Sequence, residues 1–192
     1  LTIVVQELSS VRSLDAIVEI VRHAARDLVG ADGATFVLKD GGQCYYVDED
    51  AISPLWKGKR FPLSACISGW CMVNKKSVAI KDIYEDSRIP HEAYQPTFVK
   101  SLAMVPAGRK DPVAALGNYW ATTYKATEDD LRILQALAGA TSVAMENVKV
   151  YGELQRSERR YRELVENLDD IVFSLDLEGR FIYVSRSEER RV

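Results

Sequence analysis

Thiols and imidazoles are the side chains best suited to nucleophilic, redox or metal chemistry, and this chain has few of them: Cys44, Cys66, Cys71, His23 and His91. The three cysteines form no even disulfide framework and match no zinc-ligand spacing. A reducing cytoplasm is the compartment that suits them. A nucleophilic thiol needs an electropositive, accessible setting, yet no Arg or Lys lies between Arg60 and Lys75. Cys66 and Cys71 fall on different faces of one short helix, and all three thiols are expected in or near the core. His23 sits among helical residues and His91 in a loop, and neither has a partner at a ligating distance along the chain. Phosphotransfer would need a phosphoacceptor histidine and a Gly-rich nucleotide lid. No such lid is present, and His23-Ala24-Ala25 lacks the acidic residue that normally follows such a histidine. The expectation is therefore a chain with no catalytic residue, no metal ligand and no cofactor.

Composition narrows the class further. With 192 residues the chain holds one domain, or one and a fraction. Hydrophobic residues make up 47% and charged residues 28%, ordinary proportions for a globular protein. A net charge of -3 gives nucleic acid no basic surface to bind. The run Arg156, Arg159, Arg160, Arg162 is interleaved with Glu153, Glu158, Glu163 and Glu166, which reads as a solvated helical face. No apolar stretch is long enough to span a membrane, and Leu1 to Leu8 does not read as a signal peptide. The missing initiator Met is taken to mark a fragment of a longer polypeptide.

These residues need elements to position them. Ser13 is an N-cap for a helix to about Val29, with Leu14, Ile17, Val18, Val21, Ala24, Ala25 and Leu28 on one face and Gly30 as its stop. Ala34 to Lys39 and Gln43 to Val47 read as a hairpin around Asp40-Gly41-Gly42. A loop punctuated by Pro54, Gly58 and Pro62 includes a short strand at 59–61. Ser64 to Val73 reads as a helix and Ser77 to Ile83 as a strand. Tyr84 to Phe98 is a loop with one short helix, and Ser101 to Ala107 and Pro112 to Thr122 are two strands. Leu102 and Met104 should face opposite to Ala103 and Val105. The sum is an α+β domain with an antiparallel sheet, helices on one side and loops on the other.

Thr127 caps a final helix, with Asp130 at its third position. Its apolar stripe continues through Leu131, Leu134, Leu137, Thr141, Ala144, Val148, Tyr151, Leu154, Tyr161, Val165 and Leu168. A helix from Thr127 to Asp169 would be roughly 60 Å long, more than one small domain needs, which suggests a coiled coil or connector. The stripe turns polar near Gly152 and Gln155–Ser157, a place for a break. Ile171 to Leu175 and Arg180 to Ser185 then read as a hairpin with no core to bury it, the expected start of a truncated domain.

Residues about 14 to 148 resemble a GAF domain. The resemblance rests on Phe61-Pro62-Leu63, Ile67-Ser68-Gly69-Trp70, Ala79-Ile80-Lys81-Asp82-Ile83, Asp86-Ser87-Arg88-Ile89-Pro90, Lys100 through Pro106, Ala115 through Trp120, and Leu131 through Ala138, in that order. Residues about 157 to 186 resemble the opening of a PAS domain, through Ser157 to Arg162 with Leu164, Asp170 to Asp176, Gly179-Arg180-Phe181 and Tyr183-Val184. The implied organisation is a GAF sensory domain at 1–150, a signalling-helix linker at 151–169 and a PAS start at 170–192. The style is that of sensor histidine kinases in two-component systems, cytoplasmic in this fragment, with PAS and kinase domains further along the parent chain.

The resemblance implies a regulatory module that binds a small molecule or relays a conformational change through a helical homodimer formed by its N- and C-terminal helices. A ligand would sit between the sheet and the loops at 55–73 and 84–98, lined by Phe36, Tyr46, Phe61, Ile67, Trp70, Ile83, Ile89, Tyr94, Phe98, Ser101 and Asn118. The same residues could instead fill a closed core, making the module a ligand-free scaffold. Covalent bilin attachment is not implied, because Ile89-Pro90-His91 lacks the Cys of the bilin-binding Cys-His pair. The cyclic-nucleotide signature is missing at 82–86. Free methionine-(R)-sulfoxide reductases share this fold, but Ser68 stands where their helix carries a cysteine.

Overall fold

In the computed structural model, which describes residues 1–108, 110–166 and 173–184, Ser13 starts the first long helix as its type predicts. Its Oγ accepts the Ala16 N–H at 3.3 Å, opening α2 (Leu14–Leu28), and Ile17, Val18, Val21, Ala24 and Ala25 form the buried stripe. Gly30, at φ 57°, ends it. The carbonyls orphaned at that end find other donors. Ala31 N–H reaches Arg26 O at 3.0 Å, and the side-chain amide of Asn118 reaches Ala25 O at 2.7 Å. A helix that the sequence reading left unassigned, α1 (Thr2–Ser10), precedes α2 and buries only Leu8.

The chain divides into two compact units, Leu1–Val148 and Lys149–Val192. The first carries β1 (Gly33–Asp40), β2 (Gln43–Ala51), β3 (Arg60–Pro62), β4 (Val78–Ile80), β5 (Ser101–Ala107) and β6 (Ala114–Trp120). They form one six-stranded antiparallel sheet in the order β3-β2-β1-β6-β5-β4. Between strands lie α3 (Ile67–Asn74) and α4 (His91–Tyr94). The expected helix from Ser64 splits, because Cys66 is extended at φ -143°, ψ 153°, between a 3-10 turn at Leu63–Ala65 and α3. The fourth strand is also shorter than expected: Ile83 opens a second 3-10 turn, Ile83–Glu85, capped by Asp82.

Two cores flank the sheet. On one face Ala34, Phe36, Ala103, Val105 and Leu116 pack with α2 and with Leu134, Leu137 and Ala138 of the last helix. On the other, Val37, Cys44, Tyr46, Leu102, Met104, Ala115 and Tyr119 pack with α3, α4 and the loops. Strand alternation thus sends Leu102 and Met104 one way and Ala103 and Val105 the other, as period-two geometry requires. The fold is α+β.

The last helix, α5 (Glu128–Glu166), opens with a capping box. Thr127 N–H donates to Asp130 Oδ2 at 2.8 Å and Asp130 N–H to Thr127 Oγ1 at 3.1 Å. It runs without interruption past Gly152 and 155–157, where the polar stretch had marked a place for a break. Gly152 costs a helix only about 1 kcal/mol against alanine, and the Arg and Glu residues around it are good helix formers. In the second unit β7 (Phe173–Leu175) pairs with β8 (Phe181–Val184). Asp176 ties their turn by accepting the N–H groups of Glu178 and Arg180 at 3.0 and 2.9 Å. Ile171, Val172 and Ser185, expected in that hairpin, lie outside the described residues.

Candidate functional site

One extra residue in β2 decides which side chains reach the interior on the loop face. Along the β1–β2 ladder Val37 pairs with Tyr46 but Phe36 pairs with Asp48, so Val47 is a bulge. A bulge reverses the alternation beyond it. Cys44 and Tyr46 face the loops; past the bulge Asp48 and Asp50 face α2, and Glu49 faces the loops. Asp48 meets Arg22 at 3.0 Å and Lys57 at 2.6 Å, and Asp50 meets Arg26 at 2.5 Å and His23 at 2.7 Å. Burial raises the pKa of both carboxyls, but these cations and hydrogen bonds outweigh it and hold them below the usual range.

Glu49, facing the other way, gathers a loop. Its carboxylate accepts the N–H groups of Leu55, Trp56 and Lys57 at 2.8, 2.7 and 2.8 Å. That clasp delivers Trp56 into the interior, where its indole N–H reaches Ala93 O at 3.1 Å. The Trp56 ring meets Tyr46, Tyr94 and Tyr119 edge to face at 5.6, 4.7 and 5.4 Å. Two of the hydroxyls have side-chain partners: Tyr119 with Thr35 Oγ1 at 3.0 Å and Tyr46 with Ser68 Oγ at 3.1 Å. Burial pushes all three phenols above their ordinary pKa.

Beside the rings lies a thiol cluster. Cys66 is the N-cap residue of α3 and only 7% exposed, directly after the exposed Ser64 and Ala65. Its sulfur receives the Ser68 hydroxyl at 3.2 Å, and its S–H reaches Pro62 O at 3.5 Å. The neighbouring Cys44 thiol, the Ser68 hydroxyl and the N–H groups at the start of α3 lower the Cys66 pKa against the opposing effect of burial. The Cys66 thiol, with burial, raises Cys44. Cys71 is pushed up to about 12 by burial. Gly69 permits this arrangement, since a Cβ there would lie 1.9 Å from Leu63 O.

Of the eleven residues expected to line a ligand space, Tyr46, Ile67, Ile83, Ile89 and Tyr94 are buried on the loop face, and Phe61, Trp70 and Phe98 pack half-buried against it. Three sit elsewhere. Phe36 packs on the helix face. Asn118 serves α2, and Ser101 Oγ donates to Thr122 O at 2.8 Å and accepts from Tyr124 N–H at 3.2 Å. Ser101 and Asn118 share strand parity with Ala103 and with Leu116, which the structure places on the helix face. The sequence reading missed Trp56, Tyr119, Thr35 and Glu49, because nothing local in the loop shows that residues 55–57 turn inward.

Among the described residues no group of three His, Cys, Asp or Glu could hold a metal, and no helix is long and apolar enough to cross a membrane. His23 is held by Asp50, and His91 by Ile83 O at 3.1 Å. A surface groove of about 660 Å³ lies elsewhere, between Lys75, Ser77, Pro106 and the Gln135, Gly139 and Val143 face of α5.

Known proteins share this architecture. The GAF domain from an Acinetobacter phosphoenolpyruvate-protein phosphotransferase is 19% identical, with a TM-score of 0.68 over 78% of this chain and 92% of its own. The GAF domain of a two-component sensor histidine kinase from Bacillus halodurans is 20% identical, with a TM-score of 0.63 over 74% of this chain and 99% of its own. Free methionine-R-sulfoxide reductase from Neisseria meningitidis, solved in complex with its substrate, is 15% identical, with a TM-score of 0.65 over 77% and 87%. Identities this low speak for the fold alone. No curated protein matches the sequence. The GAF domain family model matches residues 11–146, most of the chain and all six strands of the large sheet, and this chain belongs to the GAF domain family.

Proposed function

We propose that this chain is a sensory module in which a change at the loop face of the sheet is passed to α2 and α5, and from there through a helical homodimer to an output domain of kinase type. Regulatory and sensory work in signalling proteins is typical of GAF domains, and a similar structure comes from a sensor histidine kinase. One observation carries the reading. In β5 and β6, Leu102, Met104, Ala115 and Tyr119 touch the loop-side core, while their immediate neighbours Ala103, Val105, Leu116 and Trp120 touch the helix-side core. Interiors are close-packed, so a displacement on one face has one peptide to cross before it reaches the other. The hairpin β7–β8 is read as the opening of a PAS-like module.

Hydrogen exchange of the whole chain tests the relay. Trp56→Phe is expected to speed exchange in α2 and the first turns of α5 as well as in the loops; a change confined to residues 52–100 overturns it. Sedimentation tests the dimer, which a strict monomer at high micromolar concentration removes.

The interlocked rings of Trp56, Tyr46, Tyr94 and Tyr119 favour a second reading, a module filled by its own side chains. Native mass spectrometry of protein purified from its source separates the two. A retained small molecule supports ligand sensing, and a bare mass supports the scaffold.

A further inference from the structure

We propose that the exposed face of α5 is a docking surface for a second copy of this chain, the two α5 helices pairing in parallel and in register along one apolar seam. The proposal rests on the homodimer reading above and names the surface that forms it.

Alternate steps of four and three residues from Ala136 to Leu164 pass through Val143, Val150, Leu154 and Tyr161. That spacing is the 3.5-residue period of a two-stranded coiled coil. Every Arg, Lys and Glu between Ala136 and Leu164 falls at another position. Charge thus avoids the seam, although from Val143 onward its apolar side chains are between 54% and 65% exposed. The stripe that α5 buries, Leu134, Leu137, Ala138, Thr141 and Ala144, lies about half a turn away from Ala136 and Val143. The helix therefore has one apolar face for its own domain and another turned to solvent.

Three observations point to a second copy as the occupant. The first is size. The seam is roughly 43 Å long, and two such helices paired along it bury on the order of 1,600 Å², the area of a stable specific interface. The second is Asn147, which with Ser157 is one of two polar positions on the seam. A parallel, in-register pair sets Asn147 against the partner's Asn147, amide to amide. A shifted register would bury that amide against apolar side chains with no partner. The third is room. Ala136, Gly139 and Ala140 border the groove beside Lys75 and Ser77, and a Cβ at Gly139 would meet nothing within 4 Å. A second backbone can approach there closely. Glu153 and Glu158 flank the seam, and their like charges meet across the pair and weaken it.

The test uses the full chain. Sedimentation should show a monomer–dimer equilibrium that Leu154→Glu weakens roughly 100-fold, because two leucines leave the interface and two carboxylates enter it. Mild oxidation of Ser157→Cys and Arg159→Cys reads the register, with the wild-type chain as the blank. The sulfur introduced on the seam should give a disulfide-linked dimer, and the one on the outer face should not. All three positions are exposed, so the substitutions spare the fold. A dimer that survives Leu154→Glu, that forms no link through position 157, or that links equally through 159 overturns the seam and leaves the homodimer to another face. A chain that stays monomeric overturns both.

Discussion

On the helix face of the sheet, Ala34, Ala103, Val105 and Leu116 meet Ile17, Val21, Leu134 and Leu137, and two buried polar side chains serve helix backbones. Asn118 caps Ala25 O, and on α5 Thr141 Oγ1 bonds Leu137 O at 2.8 Å. On the loop face, phenols, an indole, hydroxyls and thiols touch one another across residues far apart in the chain. Both faces exclude water, so burial alone does not separate them. The difference lies in what the polar groups do. Asn118 and Thr141 on the helix face complete secondary structure, and the groups on the loop face make tertiary contacts.

The sharpest test of that contrast is Trp56→Ala. Truncating a buried tryptophan costs about 3–5 kcal/mol, and urea unfolding should show a loss of that size with a collapsed near-ultraviolet circular dichroism signal. A loss under about 1 kcal/mol would mean that the loop face is not a packed core, and the comparison would break. Next, Leu137→Ala on the helix face should cost about 2–5 kcal/mol in urea unfolding with a smaller loss of near-ultraviolet signal than Trp56→Ala, because Trp56 and the three tyrosine rings it meets lie in the other core. Asn118→Ala should cost about 1–3 kcal/mol by leaving Ala25 O buried without its donor, measurable by denaturant unfolding and by faster exchange at the end of α2.

The smallest effect is the acid response. Asp48, Asp50 and Asp130 all have folded pKa values below those of the unfolded chain. Their contribution is therefore fully present above the ordinary carboxylate range, and it disappears as pH falls through the lowered values. Thermal unfolding between pH 5 and pH 2, at about 0.1 M and 1 M salt, should show a fall that added salt weakens for the Asp48 and Asp50 pairs. A flat response would remove the electrostatic anchoring of β2 to α2.

Sequence reading succeeded where the signal is local. Ser13 and the Thr127–Asp130 capping box are short-range chemistry, and the alternation of Leu102 to Val105 is a property of any strand. It failed on sidedness in β1, β5 and β6, because those strands are buried on both faces and hydrophobicity no longer marks inside from outside. Phe36 was misplaced for that reason. The Tyr46–Ser68 contact was invisible because it joins residues from two elements that share no periodic pattern. The loop-face aromatic set was half legible: Tyr46 and Tyr94 were named, but Trp56 depends on the Glu49 clasp, and the clasp depends on the bulge.

That bulge has a consequence for inheritance. Residues 48 to 50 read Asp-Glu-Asp, near-equivalent in charge, so point substitution among them would change the composition of β2 very little. Drawing Val47 into the ladder as an ordinary residue would restore unbroken alternation along the full strand, turn Asp48 and Asp50 toward the loops and set Glu49 against α2. Every downstream ion pair and the Trp56 loop would be misaddressed at once, though no acidic residue had been lost. At this point in the chain it is the bulge, more than the identity of the acidic residues, that descent must preserve.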